Sequence, residues 1–339
     1  MVRKLNSYDY IIVGAGSAGC VLANRLTENP NNNVLLVEAG PADRDPMIKI
    51  PLLWMQFVKN KYHDWGYETQ PEPHMDNREI ECVRGKVLGG CSSINAMTVV
   101  RGHRYDYERW KKMGLEHWGY DDVLPYFKKL ESWGGEISDD DIRGLSGPFK
   151  VRPSTYQDPL YDAYLAAAVQ MGMGLAQDYN GKNQLGLARS QQNIYKGRRL
   201  SAADAFLRPV LKRPNLTVKL NQFVTRLIFE GRTVMGIELA SHNGKLTVVM
   251  AEKETIVSTG INGNQAEIAD YAKAAKDPRK AIDRKFTGKE DVVERSDPFA
   301  EARDFLERDW EDFREAEQGD DKKTKFVELF ISAPPELTP

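Results

Sequence analysis

An α/β fold, with a nucleotide-binding βαβ unit at its head and a β-meander behind it, is what this sequence predicts. Three observations predict it. A short apolar run, Tyr10 to Val13, leads directly into Gly14-Ala15-Gly16-Ser17-Ala18-Gly19. Apolar residues then recur at helical spacing (Ala18, Val21, Leu22, Leu26) before a turn cluster, Asn29 to Asn33, and a second apolar run, Val34 to Val37, that ends in Glu38. Farther on, between Leu216 and Ser258, five alternating or apolar runs follow one another, as strands of a meander do.

Each element of the βαβ unit has its own warrant. Strands of four residues made of Val, Ile and Leu suit a parallel sheet buried on both faces. Gly14 permits the tight turn out of the first strand, and Gly16 removes a side chain where a pyrophosphate approaches the backbone. Gly19 lets the helix pack against the strand. The helix N-terminus then offers unpaired N–H groups and partial positive charge to phosphates. Glu38 can accept hydrogen bonds from ribose hydroxyls and repels a 2′-phosphate. These residues predict a Rossmann-like dinucleotide site but leave NAD and FAD as alternatives.

Between the two halves the pattern is less regular. Residues 41 to 83 carry aromatics and prolines and read as connection with short helix. Residues 84 to 97 form a second loop rich in Gly and Ser. Helices are expected at about 105–112, at 121–131 capped by Asp121 or Asp122, at 158–171 with Leu160, Ala163, Tyr164, Ala167 and Ala168 as its apolar stripe, and from Ser201 to about Lys212. Residues 133 to 148, rich in Gly and Asp, read as a surface loop. The expected strands are Leu216–Leu220, Phe223–Phe229, Val234–Leu239, Leu246–Met250 and Thr255–Ser258.

The totals set bounds. The chain has 339 residues, 41% hydrophobic and 28% charged, with a formal net charge of −2, a balance that gives no reason to expect nucleic acid as a partner. Three cysteines (Cys20, Cys82, Cys91), none at metal-ligand spacing, argue against a disulfide framework. No apolar run approaches the roughly 20 residues of a membrane span, and Met1 to Tyr8 does not read as a signal or transit peptide. A cytoplasmic protein without a metal is expected. After about residue 260 the composition changes: about four residues in ten are charged. That predicts a mostly helical charged tail of unrelated origin over 261–339, with one late strand at 326–331.

Tyr8 to Gly19, Glu38-Ala39-Gly40 and Arg84 to Met97 together resemble the glucose-methanol-choline (GMC) oxidoreductase family, in particular its choline-dehydrogenase-like members. Asp64-Trp65-Gly66-Tyr67, Val100-Arg101-Gly102, Asp121 to Glu131 and Arg198 to Ala203 agree, so that the likeness covers about residues 8 to 260. It implies FAD as cofactor and oxidation of an alcohol to an aldehyde or ketone by hydride transfer to the flavin. It implies an FAD-binding region over 1–260 with incomplete substrate-domain segments within about 150–200. Gly14, Gly16, Ser17, Ala18, Gly19 and Glu38 would hold the ADP part. Val87, Leu88, Gly89 and Gly90 would line the pyrophosphate and flavin. Asn95, Ala96 and Met97 would lie by the isoalloxazine ring, Val224 would meet the adenine through its main chain, and Gly260 would close the last strand against the cofactor. Ile94 stands where some members carry a histidine bonded to the flavin, which implies non-covalent FAD.

The resemblance also implies an absence. The family's catalytic histidine lies in its C-terminal part, whereas all five histidines here (His63, His74, His103, His117, His242) precede residue 260. A second family signature begins with Ser258-Thr259-Gly260 and is lost in Ile261-Asn262-Gly263-Asn264-Gln265. The catalytic residue is therefore unassigned. His63 and His103 are the only candidate substitutes, and a structural role is the stronger expectation for each. Two readings follow: an FAD-dependent alcohol oxidoreductase acting on a small alcohol, or an FAD-binding fragment without turnover. A third, an FAD-containing lyase, has no residue in its favour. Apolar surface left uncovered by an absent C-terminal half would favour oligomers.

Overall fold

The computed structural model describes residues 7–136, 141–241 and 244–260. The charged-tail expectations, and His242, lie outside the described residues.

A six-stranded mixed sheet organises the rest. Its strands are β1 (Ser7–Val13), β2 (Val34–Val37), β3 (Leu216–Lys219), β4 (Gln222–Glu230), β5 (Thr233–Ser241) and β6 (Leu246–Val257), in the spatial order β3-β2-β1-β6-β5-β4. β1 lies parallel to β2 on one side and to β6 on the other, and β3 is parallel to β2. β4, β5 and β6 form the antiparallel meander. The expected α/β class and the meander returning to a last parallel strand are both present.

The core sits on the two faces of this sheet, as alternation along β1 and β2 requires. Ile12, Val34 and Leu36 point to one face, where they pack with Cys20 and Ala23 of helix α1 (Ser17–Leu26) and with Ala203, Phe206 and Leu207. Ile11, Val13, Leu35 and Val37 point to the other, against Ile237, Leu239 and Val249 of the meander. Cys20 is fully buried, and burial, followed by the nearby Glu38 charge, pushes its thiol up to about 12. It is an inert packing residue.

Five readings need correction. The runs 246–250 and 255–258 are one strand, β6, of 12 residues. Its first part pairs with β5 and its second with β1, and Met250 touches both partners. The polar Glu252-Lys253-Glu254 between the runs marks this change of partner and not a turn. The segment after Ser201 is not an α-helix to Lys212 but a π-turn, Ala203–Leu207, followed by a 3₁₀ turn, Arg208–Val210. Pro209 lacks an N–H and cannot continue an α-helical ladder.

The other three concern caps and surfaces. Besides α1 and a single helical turn at Pro46–Lys49, the α-helices among the described residues are α2 (Trp54–Asn60), α3 (Arg104–Lys112), α4 (Tyr120–Leu130) and α5 (Pro159–Gln170). Gly119 caps α4, while Asp122 sits in its first turn and accepts from the Gly119 N–H at 3.1 Å. The α5 stripe does not face a core among the described residues: Ala168 is buried, but Leu160 and Tyr164 are exposed. The stretch 133–148 is not wholly surface, because Ile142 and Arg143 are buried and Trp133 ends a short strand, Glu131–Trp133, paired with Phe149–Pro153.

That buried stretch belongs to a polar knot. The Glu131 carboxylate accepts from Arg101 at 2.5 Å, from Arg143 Nη2 at 3.1 Å and from the Gly144 N–H at 3.0 Å. Arg143 also reaches Asp178 at 3.0 Å and Gln191 at 3.0 Å. Two buried guanidinium groups thus share two carboxylates, the arrangement that buried charge requires. No helix among the described residues is long and apolar enough to cross a membrane.

Candidate functional site

The site begins where β1 ends. β1 lies between two parallel strands, β2 on one side and β6 on the other, and ligands of open α/β sheets sit beyond the strand ends where the connections part to the two sides. Gly14 makes the turn there with φ +95°, and a Cβ on it would stand 2.8 Å from the Ser258 carbonyl oxygen. Its N–H donates to the Val37 carbonyl at 2.8 Å. Gly19 is equally committed: a Cβ would lie 1.9 Å from the Gly14 carbonyl oxygen. Gly16 differs, for a Cβ there would meet nothing within 4 Å. Its glycine leaves open space beside the backbone.

Gly16 is the N-cap of α1 and supplies no side-chain cap; the first turn carries no acidic residue, and Ser17 and Ala18 are exposed. Among the described residues no side chain takes up the first N–H groups of the helix, and nothing negative in the turn neutralises the helix dipole. Glu38 stands opposite. It is buried, and its carboxylate accepts from the Ala15 N–H and the Gly40 N–H, both at 2.8 Å. Burial raises its pKa, ahead of the lowering by those two N–H groups. Each carboxylate oxygen keeps a second lone pair for a ribose hydroxyl.

The second loop folds onto the first. The Gly89 N–H donates to the Ala15 carbonyl at 2.8 Å, and the Leu88 N–H to the Pro41 carbonyl at 3.0 Å. Gly89 and Gly90 have φ of +89° and +55°, and a Cβ on Gly90 would stand 2.8 Å from the Gly16 Cα. Two hydroxyls hold the 3₁₀ turn Gly90–Ser93: Ser92 donates to the Gly89 carbonyl at 2.6 Å and Ser93 to the Leu88 carbonyl at 2.7 Å. Ser92 Oγ also accepts from the Ala202 N–H at 2.9 Å, which ties the turn to the segment after Ser201.

The expected site residues divide into four groups. Gly14, Gly16, Ser17, Ala18, Gly19, Glu38, Leu88, Gly89 and Gly90 meet at the two apposed loops. Val87 and Ile94 point their side chains into a small core with Ile48 and Phe57, so that Val87 could line a ligand only with its backbone. Asn95 is exposed, Ala96 half-buried and Met97 buried with φ +62°. Val224 lies on the outermost strand β4 and packs toward the meander core, and Gly260 is exposed with φ +88°.

Sequence reasoning missed the charges beneath the second loop. Arg199 is buried; its Nε donates to the Ile48 carbonyl at 2.8 Å and its Nη1 to Asn95 Oδ1 at 2.8 Å and the Ser92 carbonyl at 3.3 Å. Nη2 has no hydrogen-bond partner among the described residues. Beside it, Lys49 bridges Asp43 at 2.9 Å and Asp204 at 2.7 Å, and Arg208 bridges the same two carboxylates. Burial works against the Asp204 charge, but the Lys49 and Arg208 hydrogen bonds outweigh it and hold its pKa below the usual range. The only signal in the sequence was the run Arg198-Arg199-Leu200-Ser201, whose composition does not say which arginine is buried.

The candidate bases are engaged elsewhere. His63 Nε2 pairs with Asp45 at 3.1 Å, and His103 Nδ1 accepts from the Tyr105 N–H at the start of α3 at 3.3 Å. An open cradle at Gly16, a helix N-terminus with no side-chain cap and a buried acid are what a dinucleotide with an anionic pyrophosphate requires, so these residues fit FAD.

Comparison with known proteins bears on which dinucleotide this is. The family model for GMC oxidoreductases matches residues 8–264. An oxygen-dependent choline dehydrogenase of Staphylococcus saprophyticus is 47% identical over 263 residues, covering 76% of this chain and 47% of that protein. One of Sinorhizobium fredii is 45% identical over 253 residues, covering 74% of this chain and 45% of that protein. The chain spans about half the length of the curated relatives it matches. Among solved structures, pyridoxine 4-oxidase from Mesorbium loti superposes with a TM-score of 0.70 at 35% identity, covering 75% of this chain and 49% of that one. Formate oxidase from Aspergillus oryzae superposes with a TM-score of 0.69 at 31% identity, covering 76% and 46%.

Proposed function

The chain belongs to the GMC oxidoreductase family, and on that premise we propose that it holds FAD non-covalently between its two glycine loops and serves the oxidation of a small alcohol. The observation that carries this reading is the approach of Gly90 to Gly16, which sets the second loop against the open N-terminus of α1. Bound FAD would supply the hydride acceptor for an alcohol carbon. The residues' own work is binding and orientation. The α1 N–H groups would hold the pyrophosphate, with Gly89 and Gly90 lining it, Glu38 would hold the ribose, and Val224 the adenine through its main chain. Asn95, Ala96 and Met97 would meet the ring. The buried Ile94 offers no nucleophile for a covalent link.

A second reading has an observation in its favour. His63 is paired with Asp45 and His103 caps a helix, so neither is presented to the loops as a general base, which needs hydrogen-bond reach to its substrate. In that reading residues 7–260 bind FAD without turning over an alcohol. The resemblance of the matched relatives favours choline or another primary alcohol as substrate, and the α5 face, exposed at Leu160 and Tyr164 among the described residues, favours self-association.

One experiment separates the readings. The purified full chain, loaded with FAD, is mixed with choline and simple primary alcohols under anaerobic conditions. Bleaching of the flavin band supports alcohol oxidation. A band that stays oxidised with every alcohol supports cofactor binding alone.

A further inference from the structure

Among the described residues Arg199 is a buried cation without a carboxylate of its own. Its three hydrogen bonds go to neutral acceptors: the Ile48 and Ser92 carbonyls and the Asn95 side chain. The two carboxylates nearby are already shared between Lys49 and Arg208, two acids against two bases. Among the described residues Arg199 therefore leaves one positive charge uncompensated beneath the second loop. Burial draws its pKa down to about 10, with Asp204 opposing from a distance, and the group remains protonated at neutral pH.

Asn95 carries this charge outward. Its Oδ1 accepts from Arg199 at 2.8 Å and from the Met97 N–H at 3.1 Å. That fixes the amide with its Nδ2 as the remaining donor, and Asn95 is exposed on the loop. A hydrogen bond from a guanidinium to one end of an amide polarises it and strengthens the donor at the other end. A buried charge with an orphaned N–H is costly unless a ligand compensates it.

Resting on the FAD reading above, we propose that Arg199 is a positioning residue which, acting through Asn95, favours the reduced state of the flavin held over the second loop. Reduction of the neutral oxidised ring by two electrons and one proton leaves one net negative charge. Uncompensated positive charge nearby stabilises that product more than the neutral reactant. A charge serving only the pyrophosphate would act on both redox states alike, since the pyrophosphate is anionic in each.

The test is the midpoint potential of bound FAD in the full chain, measured by equilibration with a reference dye, beside the dissociation constant of oxidised FAD and the melting temperature. Arg199→Gln is expected to weaken the preference for reduced over oxidised flavin about tenfold, a shift of about 30 mV to more negative potential for a two-electron couple. Arg199→Lys, which keeps the charge, is expected to restore most of the potential. Asn95→Ala is expected to lower it, and Arg199→Gln added to Asn95→Ala to lower it little further. An Arg199→Gln protein that binds FAD at the wild-type potential overturns the proposal, as does one in which both redox states are weakened equally. Should Arg199→Gln melt early, the exposed Asn95→Ala decides the matter by itself: an unchanged potential overturns the proposal. A wild-type protein that takes up no FAD would bring down the cofactor reading itself, and this inference with it.

Discussion

A Cβ added to Gly90 would stand 2.8 Å from the Cα of Gly16, so it is the missing side chain of Gly90 that lets the second loop lie this close to the backbone of a residue 74 positions earlier. The contact closes the second loop onto the helix terminus that the first loop opens.

Gly90→Ala is therefore expected to displace the second loop and weaken FAD binding at least about tenfold, from the close contact and from the φ of +55° that a side chain disfavours. Gly172→Ala is the control, since its φ is +79° but nothing lies within 4 Å of the added carbon. It should carry backbone strain alone and leave FAD affinity unchanged. Equal losses in both variants, read by quenching of FAD fluorescence, would deny the contact its role.

Glu38 gives a pH dependence of defined sign. Its pKa is raised by burial in the folded chain, so the folded state holds the proton more tightly than the unfolded one. Stability from this group is fully present below the ordinary carboxyl value of 4.5 and declines as pH rises through the folded pKa. Glu38→Gln cannot titrate. The melting temperature of the Gln variant relative to wild type, both without FAD, should climb as pH rises from 4.5 toward neutrality. A constant offset across that range would contradict the assignment.

Asp204 runs the other way. Lys49 and Arg208 depress its pKa despite burial, so its contribution is present above the ordinary value of 3.8 and is lost as pH falls through the folded pKa. Asp204→Asn should flatten the acid limb of the stability curve below pH 3.8, with thermal melts in a pH series as the readout. An unchanged acid limb would count against it.

Glu131→Gln tests the polar knot. Removing the charge leaves Arg101 and Arg143 buried with less compensation, at a cost of about 3–5 kcal/mol by the usual effect of breaking a buried pair. The urea midpoint should fall accordingly. A change within the range of a surface substitution, about 0.5 kcal/mol, would show that the knot is not what holds the 142–144 segment.

How much of this was legible in the sequence follows from range. β1, the Gly14 turn, α1, β2 and Glu38 are specified by neighbours within a few residues, and periodicity and glycine spacing expose them. β6 was divided because its polar middle, Glu252 to Glu254, coincides with the exchange of β5 for β1 as partner, a fact of the sheet and not of the run. The π-turn after Ser201 looked helical because its apolar positions do face inward; what ends the α-helical ladder is Pro209. Arg199, Glu131 and Arg143 were invisible as site or core residues because charge alone reads as surface, and only the fold brings partners from 48, 92, 101 and 178 around them. Val87 and Ile94 lie in a loop chosen for its small residues, yet their side chains are core.

The most direct measurement is of the cofactor itself. The full chain would be purified, its visible spectrum recorded, the protein precipitated with acid, and the released flavin identified, with apoprotein then titrated with FAD and with NAD. The account predicts a flavin spectrum, FAD recovered in the supernatant, and saturable binding of FAD in preference to NAD. A colourless protein that binds no FAD on titration would contradict it.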